Sequence, residues 1–290
     1  MHKYLRAIGF SNIINRNDMQ KLIEKTIKES TETYCVSVGD TLYGDYWLEV
    51  GNGMGIVVCG EYDEQDDFQV EHYYPYLETN MVSSIEPSLI DRHIATNSFT
   101  GVTEDKRIGI SIIYYLRDRI RYIKKCNENR EVIKSAPVAL TGLSVSGMIL
   151  MPIEKNDDTR KKMSRSSKKR DKLVEAARQG SDEAIETLTL DDIDVYANIS
   201  KQLANSDVYS IVDTCFMPYG AECDLYTIIG EITYVDLVEN KITGEKVYQL
   251  GVICNGMPLD ICINIEDLFG EPEVGRRFKG TIWLQGRLVA

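Results

Sequence analysis

Catalysis needs acids, bases, nucleophiles or metal ligands at workable spacing, and histidine is the scarcest of these here. Only His2, His72 and His93 occur in 290 residues. Asp91-x-His93 is a pattern that can orient an imidazole, and Cys59 is a nucleophile of the right type for it. No spacing ties the cysteine to the pair, so an inert loop near Pro87 is the preferred reading. Glu71 and His72 are neighbours on an expected strand and should face opposite sides of it. Gly142-Leu143-Ser144-Val145-Ser146-Gly147 approaches a nucleophile elbow, but it has one residue too many before the second glycine and no helix pattern after it.

Metal ligation fares no better. The run Glu61, Asp63, Glu64, Asp66, Asp67 offers the oxygens that hard cations take. It lacks the glycine and closing glutamate of a calcium loop, so a solvated hairpin tip is expected. Cys254 and Cys262 fall on opposite faces of their strands by alternation, which argues against a shared zinc. The seven cysteines are odd in number and contain no C-x-x-C, which fits free thiols in a reducing compartment. Nucleotide-loop and zinc-protease motifs are absent too. The sequence therefore predicts no catalytic residue, no metal and no cofactor.

Binding features are better represented. The chain has 17 tyrosines, and Tyr73, Tyr74 and Tyr76 cluster around Pro75. Such a run suits either an interface or a strand with one tyrosine face buried. In the last expected strand, Phe278, Gly280, Ile282, Leu284 and Gly286 suit an interior. Arg277, Lys279, Thr281, Trp283, Gln285 and Arg287 then share the other face. Arg277, Lys279, Trp283 and Arg287 are the candidate binding residues, since tryptophan beside arginine is typical of hot spots and base-stacking platforms. The competing reading covers Trp283 with helices from residues 170–205. A β-bulge at Gly280 or Gly286 would reset the alternation.

These residues need a scaffold, and 290 residues allow roughly two domains at about 150 residues each. Composition is near globular averages, at 43% hydrophobic and 27% charged. The expected class is α+β. An N-terminal domain, 1–153, combines a helix carrying Met19, Leu22, Ile23 and Ile27 with a mixed antiparallel sheet. In that helix Asp18 is the expected cap, and Gly51-Asn52-Gly53 is a hairpin signal. Tyr114–Lys125 fits strand and helix equally. A helical connector, 154–205, is first basic and then acidic. Gly180 is its expected helix stop and Ser181 the following N-cap. A C-terminal domain, 206–290, reads as a small OB-like β-barrel.

The net charge of −12 opposes nucleic acid and anionic membrane, and the longest apolar stretch, 138–153, is too short and polar for a span. The opening MHKYLRAIGFSNIINRND has no apolar leader region, so a cytoplasmic location is expected. Ten Lys and Arg lie between Lys155 and Arg178. Within them Arg160–Lys172, and Lys168, Lys169 and Arg170 above all, form the one local patch suited to phosphate. The acidic block behind it is expected to neutralise it.

The strings IVDTCFMPYGAECDLYTIIGEI, NKITGEKVYQL, ICNGMPLDICIN and DLFGEPEVGRRFKGTIWLQGRL, with the opening YLRAIGFS, are long and idiosyncratic. They resemble an uncharacterised family of clostridial Firmicutes, filed as a domain of unknown function. The resemblance covers the whole chain, is strongest over residues 211–288, and implies a bacterial intracellular protein without assigning it an activity. Together these features predict a non-enzymatic binding or scaffold protein acting through protein–protein contact. The alternatives are nucleic-acid binding through residues 160–172 and the barrel, and an enzyme with an unrecognised cysteine or carboxylate site.

Overall fold

A computed structural model describes residues 2–93, 97–128, 136–153, 173, 176, 180–188 and 212–289. The basic candidates Lys168, Lys169 and Arg170 lie outside the described residues. Residues 1–150 and 214–290 cluster as one compact unit, and 151–213 as another. Within the second, residues 182–188 are helical, and Ser181 caps them by accepting the Ala184 N–H at 3.3 Å.

The larger unit opens with a 3-10 turn, Lys3–Ile8, closed by Gly9 in the left-handed region at φ 83°. Helix α1 follows, Arg16–Lys28. Its cap is Asn15, whose side chain accepts the Asp18 N–H at 2.9 Å. Asp18 is thus one turn inside, where its charge suits the helix N-terminus. Met19, Leu22 and Ile23 are buried, as the spacing predicts.

Four antiparallel strands come next: β1 (Glu32–Val38), β2 (Thr41–Gly51), β3 (Met54–Tyr62) and β4 (Phe68–Leu77). The β3–β4 turn is the acidic run. Asp63 accepts the N–H groups of Gln65 and Asp67 and the Gln69 amide, so the carboxylate organises the turn itself.

A ten-stranded sheet takes the rest: β5 (Ser88–His93), β6 (Ser98–Glu104), β7 (Ser111–Leu116), β8 (Val138–Leu150), β9 (Cys215–Pro218), β10 (Leu225–Glu239), β11 (Lys246–Cys254), β12 (Met257–Asn264), β13 (Leu268–Phe269) and β14 (Arg277–Leu288). The ambiguous stretch 114–125 is both structures in turn, since helix α2 (Arg119–Glu128) begins three residues after β7 ends.

Five strands close a barrel. β10, β11 and β12 form an antiparallel meander, β14 pairs antiparallel with β10, and β8 completes the ring, parallel to β12 and antiparallel to β14. The expected boundaries at 153 and 206 therefore do not separate two independent sheets. A strand of the N-terminal stretch is a stave of the C-terminal barrel, because β12 and β14 each have an edge that only β8 satisfies. The near-elbow Gly142–Gly147 is the point where β8 carries extra length. Gly147 pairs with Gly280 but Ser144 with Ile282, and the Phe278 ring occupies the space beside Gly147 and Gly280. Since the extra residue lies on β8, the alternation of β14 survives.

Two cores result. Phe278, Ile282, Leu284, Leu250, Val252, Ile261 and Ile263 fill the barrel. Trp283, Cys262, Leu143 and Val247, on its outer wall, pack with Tyr4, Leu5, Trp47, Tyr74 and Tyr76 from the N-terminal elements. Cys254 and Cys262 belong to different cores, as alternation predicts. No helix among the described residues is long and apolar enough to cross a membrane.

Candidate functional site

The second core is not closed along its length. At the end near Trp283 it opens into a cavity of about 500 Å3 lined by His2, Lys3, Tyr4, His72, Tyr73, Tyr74, Ser98, Tyr115, Glu222, Asp224 and Trp283. That volume lies within the range of small-molecule sites. Six parts of the fold meet there: the opening 3-10 turn with the residue before it, β4, β6, β7, the loop before β10, and β14.

Aromatic rings form most of the wall. Trp283 stacks on Tyr4, with centroids 5.6 Å apart and planes at 22°. It touches His2 at 4.4 Å and Tyr115 at 5.2 Å, and Tyr115 meets Tyr74 edge-on at 4.9 Å. The indole N–H of Trp283 donates to Asp224 Oδ2 at 2.7 Å, while the Leu284 N–H binds the Asp224 carbonyl at 2.9 Å. Asp224 is thus tied to β14 by both side chain and backbone. Burial pushes its carboxyl upward, against the pull of that indole bond.

Both histidines are neutral near pH 7. Burial pulls His2 and His72 down to about 4, with the Arg119 charge adding to the effect on His72. His72 Nε2 lies 3.3 Å from the Tyr115 hydroxyl. His2 Nδ1, His72 Nδ1 and the Tyr74 hydroxyl are buried with no hydrogen-bond partner among the described residues. Buried polar atoms normally find partners, so these three are open positions for a ligand or water.

An ionic knot holds this wall from behind. Arg119, at the start of α2, donates to Asp45 at 2.9 Å, Glu71 at 3.0 Å, and the carbonyls of Asn97 and Gly60 at 3.2 and 3.3 Å. Glu71 reaches Arg119 because it is an extra residue in β4, where His72 pairs with Cys59 and Val70 with Gly60. The bulge interrupts the pairing at Glu71, and Glu71 goes to Arg119 while His72 lines the cleft. Cys59 is wholly buried beside Asp45, and burial followed by the Asp45 charge raises its thiol far above the ordinary range. Asp91 and His93 stand on exposed β5, so they make no assembly with Cys59.

The four binding candidates on β14 are not brought together. Trp283 lines the cleft and is covered, with 6% of its surface exposed, by Tyr4, His2 and Tyr115. Arg277 is buried. Lys279 is half-buried at a separate depression beside Ser146, Met148 and Tyr219. Arg287 donates to the Thr79 carbonyl at 2.9 Å, and Gln285 between them donates to the Pro75 carbonyl at 2.7 Å. Much of this face therefore joins the barrel to the N-terminal sheet. Sequence reading missed Tyr4, Tyr115 and Asp224. Nothing in local spacing links positions 4, 115, 224 and 283, and the tyrosine-rich run at 73–76 and Trp283 were the separate pointers to two of the strands.

The fold thus defines an α+β protein with a closed five-stranded barrel sharing its outer wall with a second core. The chain matches the family described as "Domain of unknown function, E. rectale Gene description (DUF3881)" over residues 5–286, and it belongs to that family. No curated protein and no solved structure matches the chain.

Proposed function

We propose that this is a binding protein whose recognition site is the aromatic cleft, and that the cleft takes an alkylated ammonium group. The observation that supports this is the convergence of Tyr4, Tyr74, Tyr115 and Trp283 on one cavity with the carboxylates Glu222 and Asp224. Aromatic faces attract cations by about 2 kcal/mol or more where water is excluded. The two carboxylates and the net charge of −12 add attraction, neutral His2 and His72 add no repulsion, and the Lys3 ammonium in the same wall, 5.1 Å from the Tyr4 ring centre, already uses one of these faces for a cation. Small quaternary amines carry such a group, and so do methylated lysine side chains, the second being the protein–protein form of the reading.

Catalysis has less support. The Cys59 thiol is held protonated, and imidazoles near pKa 4 are poor bases at neutral pH. Base stacking is possible chemistry for the rings, but Glu222 and Asp224 repel a phosphate backbone. The barrel's ladder order, a meander whose third strand is parallel to the closing one with a 3-10 turn (Ile265–Asp267) before β14, supports the OB-like reading with that closing strand moved to an earlier place in the chain.

The test is titration with tetramethylammonium, a trimethyllysine peptide and a neutral tert-butyl alcohol, followed by tryptophan fluorescence. Saturable responses to the two ammonium compounds, weakened in Asp224→Asn, are expected. A response to the neutral compound of equal strength, or none to any of the three, rejects the reading. Single-stranded oligonucleotide binding that falls steeply with salt would favour the nucleic-acid alternative instead.

A further inference from the structure

Where β7 and β14 end, beside α2, lies a smaller, oppositely charged cavity. It has a volume of about 160 Å3 and includes Arg117, Asp118, Arg121, Lys125 and Arg287 in its wall. Glu78 stands beside it, 3.7 Å from Arg117 and 3.9 Å from Arg287. Among the described residues four cations therefore meet three carboxylates, Asp118, Glu78 and Glu32, the last 3.5 Å from Arg121, and the balance is positive in a strongly acidic protein.

Arg117 is the decisive residue, because its side chain is 0% exposed. Its Nη1 donates to the Leu77 carbonyl, but Nε and Nη2 have no hydrogen-bond partner among the described residues, and Arg287 Nε, 3.9 Å from Glu78, has none either. A buried guanidinium is stable only when its charge is paired and its donors are used. Glu78, 40% exposed and beyond hydrogen-bond reach, does neither fully. Arg121 is already committed in part. It lies 3.6 Å from Asp118 and 3.5 Å from Glu32, stacks 4.6 Å over Tyr34 and donates to the Tyr34 hydroxyl. These contacts fix its guanidinium at the mouth of the cavity.

We propose that this cavity is a binding site for one small oxyanion, of phosphate or carboxylate type, gripped by Arg117 and Arg287 from inside and Arg121 from the rim. The volume is too small for a drug-sized ligand, which takes roughly 300 Å3 or more. Planar guanidinium groups with spare parallel N–H donors match the paired oxygens of such an anion. The proposal does not depend on what fills the aromatic cleft, since the two cavities share none of the residues named for either.

The experiment is thermal melting of the full chain in inorganic phosphate and in sodium acetate, each against sodium chloride at equal ionic strength. A saturable rise in melting temperature is expected with at least one of the two oxyanions. Arg121→Gln should raise the half-saturating concentration about tenfold or more, the worth of one charge-assisted hydrogen bond. Arg117→Met, which keeps the packed stem, should abolish the response, and the remote surface variant Lys241→Gln should leave it unchanged. Should Arg117→Met fail to fold, the Arg121→Gln comparison decides alone. No rise beyond chloride, or an equal rise in wild type and Arg121→Gln, overturns the proposal and assigns the spare donors of Arg117 to water.

Discussion

The Trp283 indole N–H donates to the Asp224 carboxylate at 2.7 Å, across the gap between the last strand of the barrel and the loop that leads into its meander. This bond fixes the floor of the aromatic cleft. Trp283→Ala should cost about 3–5 kcal/mol, as large core deletions do. Trp283→Phe keeps most of the packing and should cost about 2 kcal/mol, the worth of a hydrogen bond to a charged group. Urea unfolding with an unchanged slope would measure both. A normal midpoint for the alanine variant would show that the indole carries no structural load.

Protonation should weaken the same wall. His72 has a folded-state pKa of about 4, below the ordinary 6.5. Its contribution to stability is therefore complete above pH 6.5 and is lost as pH falls towards 4. Wild type should lose up to about 3 kcal/mol more than His72→Gln across that window. The difference between the two proteins is the informative quantity, because Asp45, Asp118 and Asp224 are pushed upward by burial and titrate in the opposite sense. Parallel pH profiles for the two proteins would contradict the assignment.

Arg119→Met should be severe. It strips Asp45, 1% exposed, and Glu71 of their shared partner, and breaking a buried pair costs about 3–5 kcal/mol. The double change Asp45→Asn with Arg119→Met should recover part of that loss. A single variant that melts like wild type would mean the knot is solvated.

Thiol reactivity should follow burial. Cys223 is exposed, whereas Cys59, Cys254 and Cys262 are buried. Burial also pushes the Cys254 thiol up to about 12 and Cys262 higher still. Native labelling at pH 8, read by mass spectrometry, should modify Cys223 first and leave those three until denaturant is added. Early modification of Cys59 would reopen the cysteine-enzyme reading.

The parts of this fold that were legible in the sequence are those governed by short-range periodicity. The stripe of Met19, Leu22 and Ile23, the hairpin at Gly51-Asn52-Gly53 and the in-out alternation of β14 all appear as read. The Asp18 cap was displaced by three residues because Asn15, an equally good acceptor, comes first. The bulge at Glu71 was not legible, because no residue type announces it. Trp283 was expected to be covered or exposed, and it is covered, although by Tyr4, His2 and Tyr115, whose positions are set by tertiary packing. The clefts were invisible for the same reason. Arg117 reads as one more charged residue after a strand until Arg287 is seen beside the same cavity.

The placement of β8 also bears on how the protein is made. Val138 pairs with Leu288, and the whole of β8 must wait for β14 before its longer ladder can form. Contacts so distant in sequence form slowly. During synthesis the N-terminal sheet emerges with β8 unpaired on both sides, an open edge of the sort that recruits other chains. A product ending before Arg277 should therefore aggregate although most of its strands are intact. Residues 151–213, by contrast, bridge two staves of a ring already fixed by its neighbours. Loop closure grows only logarithmically more costly with length, so the number of residues between β8 and β10 weighs little on closing the ring.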